Sequence, residues 1–386
     1  MISSYLSPYR ARRLTVIFSL FCLISLVACT ETKQNNTVQQ SNPQPLSNPA
    51  SEPAIEPESQ SLGDNRERHL TNIKQLTFGG QNAEAYFSYD DSKLVFQATT
   101  RDAAKQCDQI YTMNSDGSDK KLLSTGNGIT TCSFFYPDDQ YILYASTHED
   151  KKGCPPPANF SEGYTWRLEK EYDIYKSDLD GNIVAKLTNE PGYDAEAVIS
   201  PTGNKIVFTS VRSGDLELWT MDLDGSNLNQ ITDAPGYDGG AFFSPNGKKI
   251  VWRASRFEND AEGLAEYQQL LDKGLIRPSS LDLYIMDVDG SNKQQITDFG
   301  KASFGPYFHP SGEKIIFSSN LDDPKGQEFD LYLVDINTKE LERVTYTGDF
   351  DGFPMFSRDG KKLVWGSNRH NEKPRETNVF IADWVE

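Results

Sequence analysis

From about residue 70 onward, apolar and polar residues alternate in short runs that return in one fixed order. The clearest runs are "LVFQA", "YILYA", "IVFTS", "IVWRA", "IIFSS" and "LVWGS", rich in β-branched and aromatic residues on a period of two, the pattern of half-buried strands. Each follows a polar turn: "SYDDSK" (88–93), "YPDDQY" (136–141), "SPTGNK" (200–205), "SPNGKK" (244–249), "HPSGEK" (309–314) or "SRDGKK" (357–362). Pro and Gly suit turn positions that need a fixed or a positive φ. A third strand comes next ("QIYTM", "YDIYK", "LELWT", "LDLYI", "DLYLV", "NVFIA"). A fourth ends on an aliphatic-hydroxyl pair: Leu76-Thr77, Leu123-Ser124, Leu187-Thr188, Ile231-Thr232, Ile296-Thr297 and Val344-Thr345.

An Asp-x-Asp-Gly run precedes several fourth strands, as in "MDLDGSNLNQIT" (221–232) and "MDVDGSNKQQIT" (286–297). An EF-hand calcium loop requires glycine at its sixth position and a bidentate glutamate at its twelfth. Counted from Asp222, Gly225 is fourth and Asp233 twelfth, so the run reads as a hairpin turn between two apolar stretches.

Six four-stranded units predict an all-β chain, a six-bladed β-propeller over residues 67–386, since radial repetition leaves only short sheet edges. The sixth unit stops at its third strand, in "TNVFIADWVE", while "NIKQLT" (72–77) precedes the first and reads as the missing fourth. Pairing of Ile73–Leu76 with Val379–Ala382 is therefore expected to close the ring. Two units carry long insertions, 148–171 and 257–280. In the second, in blade 4, Leu264, Tyr267, Leu271 and Leu275 have the spacing of a short amphipathic helix ending near Gly274.

The order of Leu-Thr, Ser-Pro-x-Gly and Asp-x-Asp-Gly resembles the repeats of the TolB-type, WD40-like (PD40) propeller family over about residues 70–386. That resemblance implies a cell-envelope scaffold that binds proteins, with Tol–Pal machinery as a possible setting. The chain departs from the TolB pattern in lacking its N-terminal α/β domain: the residues before the propeller are too few and too polar to form one.

Those residues carry an address instead. Arg10, Arg12 and Arg13 precede a 15-residue apolar stretch, "LTVIFSLFCLISLVA" (14–28), which ends at Cys29. Basic region, apolar length and a small residue before the cysteine resemble the lipoprotein box, so 1–28 reads as a signal peptide and Cys29 as the lipidated first residue. Several acyl chains on one residue anchor a protein stably. By the same resemblance Thr30, rather than Asp, in the second position favours the periplasmic side of the outer membrane in a cell with two membranes. Residues 29–66 are too polar to fold and read as a tether, with a reach of roughly 35 Å as a flexible coil.

The net charge is −18, and −21 beyond Ala28. So large a negative charge excludes nucleic acid and anionic headgroups as partners, leaving the membrane to the lipid anchor alone. In an oxidising compartment Cys107, Cys132 and Cys154 allow one disulfide in three pairings. Cys132–Cys154, within one repeat, is preferred.

Loops before first strands and after second strands share one propeller face. The entries "QNAEA", "YDAEA", "YDGGA" and "FDGFP" align Asp194, Asp238 and Asp351 in one column and Glu84 with Glu196 in another. Second-strand exits bring Arg101, His148, Arg212, Arg256 and Arg369 to the same side. Crowded carboxylates need compensation, either from these arginines, the preferred reading, or from a bound cationic ligand. Tyr164 and Trp166 in the first insertion add aromatic contacts suited to a peptide or glycan.

The chain has no Gly-x-Ser-x-Gly, no His-Glu-x-x-His and no phosphate-binding glycine loop. The expectation is thus a monomeric binding module without cofactor or metal, for an envelope protein, peptide or glycan. The alternative is a metal-assisted oligouronide lyase working through His148 and His370, with His69 placed in the tether and His309 in a turn on the far side. Propeller lyases use more histidine ligands than this face offers.

Overall fold

The structure is a computed structural model that describes residues 62–99, 107–150, 153–155, 160–348, 350–374 and 376–386. The signal segment, Cys29, most of the tether and Arg101 lie outside the described residues.

Six four-stranded antiparallel sheets follow one another in chain order. Blade 3 shows the plan: Asp194–Ile199 innermost, then Ile206–Ser210, Glu217–Met221 and the two-residue outer strand Asn229–Gln230. The first strands of blades 1, 2, 4, 5 and 6 are Gln81–Phe87, Thr130–Phe135, Asp238–Phe243, Ser303–Phe308 and Asp351–Phe356.

The repeated hydroxyl explains how so short an outer strand is tolerated. In every blade it accepts the N–H of a third-strand residue, so the ladder continues through a side chain where the fourth strand ends. The six bonds are Val379 to Thr77, Ile110 to Ser124, Ile174 to Thr188, Leu218 to Thr232, Leu283 to Thr297 and Leu331 to Thr345, at 2.7–3.0 Å. The aliphatic partner of each pair is buried.

The Asp-Gly turns join neighbouring blades. Gly225 has φ +86°, and a Cβ there would fall 2.5 Å from the carbonyl oxygen of Leu187 in the preceding blade. Gly290 stands in the same way against Ile231. Asp222 is held by Lys205 and Asn227, so its carboxylate serves the hairpin. The two motifs therefore co-repeat because one packs on the other.

Ring closure occurs as the sequence predicts and extends further. Leu70–Gln75 pairs with Asn378–Trp384, with Leu70 opposite Trp384 and Gln75 opposite Phe380. His69 belongs to this closure, not to the tether. It stacks on Trp384 at 4.6 Å, and its ring nitrogens reach Val385 O at 2.6 Å and Glu342 at 2.7 Å. Residues 62–66, polar enough to read as tether, also lie against the ring: Leu62 O accepts from Arg369, and Arg66 covers Tyr346. His309 takes the serine position of its turn, accepting Ser311 N–H on Nδ1.

The blade 4 insertion forms a helix, Ala261–Asp272, capped by Asp260 accepting from Gly263 N. Tyr267 and Leu270 are its buried residues, and Tyr267 packs on Phe257 and bonds Asp215, so the apolar stripe covers the propeller. Leu275 lies beyond the helix, because Gly274 at φ +70° turns the chain into a short strand, Leu275–Ile276. That strand pairs with Trp166–Arg167 of the blade 2 insertion. The two insertions thus form one cap.

Candidate functional site

Each first strand carries a bulge at its centre, where its register with the second strand shifts. The bulged residues are Glu84, Cys132, Glu196, Gly240, Gly305 and Phe353, one per blade, all with φ between +48° and +60°. Glycine takes this left-handed backbone freely. The four other residues hold it against their Cβ at about 1 kcal/mol or more each.

Two residues further along, Tyr86, Phe134, Val198, Phe242, Tyr307 and Met355 are in or packed against the central core. Rings meet on the axis, Tyr86 with Phe242 of the opposite blade at 5.5 Å and Phe242 with Tyr307 of the next blade at 5.4 Å between centroids. The channel is thus filled below, and its upper part becomes a cup of about 980 Å³. Trp166, Tyr193, Tyr237, Phe304, Phe329 and Phe350 line its walls, while Arg167, Arg277, Lys301 and Lys325 contribute cations around it. Trp166, on the cap, comes edge-on to both Tyr237 and Phe304.

On the floor, Glu196 pairs with Arg253 and also accepts from Thr209 Oγ1 at 2.7 Å and Gly240 N at 2.9 Å. Arg253 donates to Tyr237 Oη at 2.9 Å and lies 5.0 Å from the centre of the Trp166 ring. A Cβ at position 240 would sit 2.5 Å from the Arg253 guanidinium, so the blade 4 glycine makes room for this ion pair. Burial opposes the charge on Arg253, but Glu196 and Tyr237 more than offset it and hold the guanidinium above its ordinary range. Glu84 is placed differently. Among the described residues its Oε2 is buried without a hydrogen-bond partner, and burial pushes its carboxyl up to about 7.

The aspartate column does not face the cup. Asp194, Asp238 and Asp351 turn toward their own blades and pair with Arg212 at 2.8 Å, Arg256 at 2.6 Å and Arg369 at 3.1 Å. Each arginine stands just beyond the second strand, which lies alongside the aspartate's own strand. Trp252 and Trp365 Nε1–H also donate to Asp238 and Asp351. His148 has the corresponding place in blade 2. Its Nδ1 is 3.0 Å from Ser146 Oγ and its ring 4.3 Å from that of Tyr175. Burial lowers its pKa.

His148 and His370 are absent from the cup lining. Among the described residues no group of three His, Cys, Asp or Glu side chains is placed to hold a metal ion. Tyr164 is 65 % exposed and accepts from Trp166 Nε1 at 3.2 Å. Trp166 itself is half-buried over the cup.

The disulfide joins Cys107 to Cys154, correcting the preferred Cys132–Cys154 pairing. Sharing a repeat does not bring two residues together here. Cys132 is on the innermost strand at the cup floor, beside Thr131, whereas Cys154 is in the cap insertion and meets the neighbouring blade's third-strand entry. Sequence reasoning also missed Arg253, Cys132 as a floor residue, and the aromatic wall. The signal for the wall was present, since Tyr193, Tyr237 and Phe350 each precede a column aspartate.

No protein-family model matches the chain. Among solved structures, "putative TolB from Agrobacterium tumefaciens" is similar with a TM-score of 0.52 and 18 % identity, over 80 % of this chain and 91 % of that one. TolB from Acinetobacter baumannii matches with a TM-score of 0.52 and 20 % identity, over 80 % of this chain and 64 % of that one. An oligogalacturonate lyase in complex with manganese reaches a TM-score of 0.46 at 16 % identity, over 81 % and 93 % of the two chains, and that likeness carries no argument. What the chain shares with the two TolB structures is the propeller fold.

Proposed function

We propose that this chain is a binding module of the cell envelope, tethered through lipid on Cys29, related in its repeats to TolB-type propellers, and acting as a monomer. It takes a segment of an envelope protein, a peptide or a glycan into the capped cup. The observation that carries this reading is the cup itself: about 980 Å³, roofed by two insertions that pair with each other, with aromatic walls and cations around it. Concave, mostly apolar sites with a few placed polar groups are where ligands bind. Loops elaborated on one face of a rigid scaffold are where function concentrates.

The column of Asp194, Asp238 and Asp351 supports the fold and leaves ligand contact to Glu84, Glu196, Trp166 and Tyr164. The alternative, an oligouronide lyase working through His148 and His370, draws no support from the cup, whose lining contains neither residue.

The test is binding of the full chain to arrays of envelope peptides and glycans. A ligand found there should lose roughly tenfold or more in affinity with Trp166→Ala or Phe304→Ala, the loss of a large anchor from a pocket. Asp224→Ala, in a distant hairpin, should leave binding unchanged. Equal binding by all variants would remove the cup as the site. Radiolabelled palmitate incorporated by the wild type and absent from Cys29→Ser tests the anchor.

A further inference from the structure

The floor of the cup holds more acid than base. Glu196 is matched by Arg253, which also binds Tyr237. Among the described residues Glu84 has no such partner: its Oε2 is buried and accepts no hydrogen bond from them. Beneath it, a void of about 30 Å³ is shared with Ser133, whose Oγ is likewise unpartnered, while the side facing up borders the cup. The titratable groups acting on Glu84 are Cys132, whose thiol hydrogen-bonds the carboxyl, together with Arg253, Glu196 and Asp108. Burial pushes the Cys132 thiol well up, so it stays neutral, and burial pushes Asp108 up to about 6. None of these supplies a second cation.

Taking the cup to be a ligand site, we infer that Glu84 anchors a primary ammonium group presented at the tip of an apolar body. A carboxylate and an ammonium form a charge-assisted hydrogen bond, and the aromatic faces around the cup accept both the apolar body and the cation. Glu84 holds a left-handed backbone at a position where two other blades have glycine. That strain persists only where the fold enforces it, and such positions gather at functional sites. Lys301 and Lys325, also lining the cup, repel a small bare cation and suit a ligand with an anion at its other end. A lysine side chain or free amino terminus of a polypeptide carries this chemistry, and so does a free alkylamine.

The experiment is calorimetric titration of the full chain with 1-hexylamine and with 1-hexanol, which differ chiefly in charge. At pH 8 the amine should bind roughly tenfold or more tightly than the alcohol. At pH 6, where Glu84 is largely protonated, the preference should shrink, since the ligand itself stays charged. Glu84→Gln should abolish the preference, the amine then binding no tighter than the alcohol. Acetyl-Ala-Lys-Ala-amide separates the sources: tighter binding than hexylamine assigns a polypeptide, weaker binding a free amine. If hexanol binds but the amine gains nothing, or if Glu84→Gln keeps the preference, the ammonium inference falls and the cup reading stands. If neither probe binds, both fall.

Discussion

Arg369 sits with its guanidinium between Asp351 of its own blade and Glu67, which precedes the closing strand, each at 3.1 Å, and all three side chains are 1 % exposed or less. It also lies over Trp365 at 5.1 Å. Removing one member of a buried ion network leaves uncompensated charge, a loss of about 3–5 kcal/mol. Arg369→Ala should therefore lower the unfolding free energy in urea by that amount. Adding Glu67→Gln and Asp351→Asn should restore a substantial part, because the orphaned charges are then gone. An unchanged urea midpoint for Arg369→Ala would mean that the network contributes nothing. The alternation of residues along the first strand marked Asp194, Asp238 and Asp351 as a set distinct from Glu84 and Glu196. It did not tell which set faces the axis, because the bulge re-aims the side chains locally.

At the scale of the element, six hydroxyls do one job, and the one at Thr77 does it across most of the chain length. Thr77→Val keeps the shape and leaves the Val379 N–H without its acceptor, a loss of about 1–3 kcal/mol. Thr232→Val does the same to Leu218. Both should lower the thermal midpoint, but Thr77→Val should also expose the terminal strands to amide exchange, because the bond it breaks fastens the ring. Deletion of residues 66–77 removes Glu67, His69 and the closing strand together. The single cooperative unfolding transition should then collapse, and an unchanged melt would reject the closure. The pairing partners were legible because unit six lacks a fourth strand and "NIKQLT" supplies one. The stacking of His69 on Trp384 was not, since polar residues before a strand look the same whether they float or dock.

For the whole molecule, several buried acids share one bias. Burial raises Glu84 to about 7, Asp108 to about 6, Asp330 to about 7 and Glu217 to about 8. Their folded-state values lie above those of the unfolded chain, near 4. The folded state thus binds more protons than the unfolded one between about pH 4 and pH 8, and stability falls as pH rises through that window. The −18 net charge works in the same direction. The melting temperature should accordingly be higher at pH 5.5 than at pH 8.5, and Glu84→Gln should reduce the difference. A flat profile over this range would show that the acids are solvated or paired.

The sequence by itself determined the blade count, the order of strands, the turns, the closure and the face that carries the insertions. All of these follow from local patterning of apolar, hydroxyl and glycine residues repeated six times, and each copy constrains the others. Tertiary structure alone decided which acids are spent on arginines, that Cys107 rather than Cys132 meets Cys154, and that two insertions from different blades pair into a cap over the cup. Those outcomes depend on distances between residues far apart in the chain, set by how the blades wrap around the axis, and no local pattern encodes them.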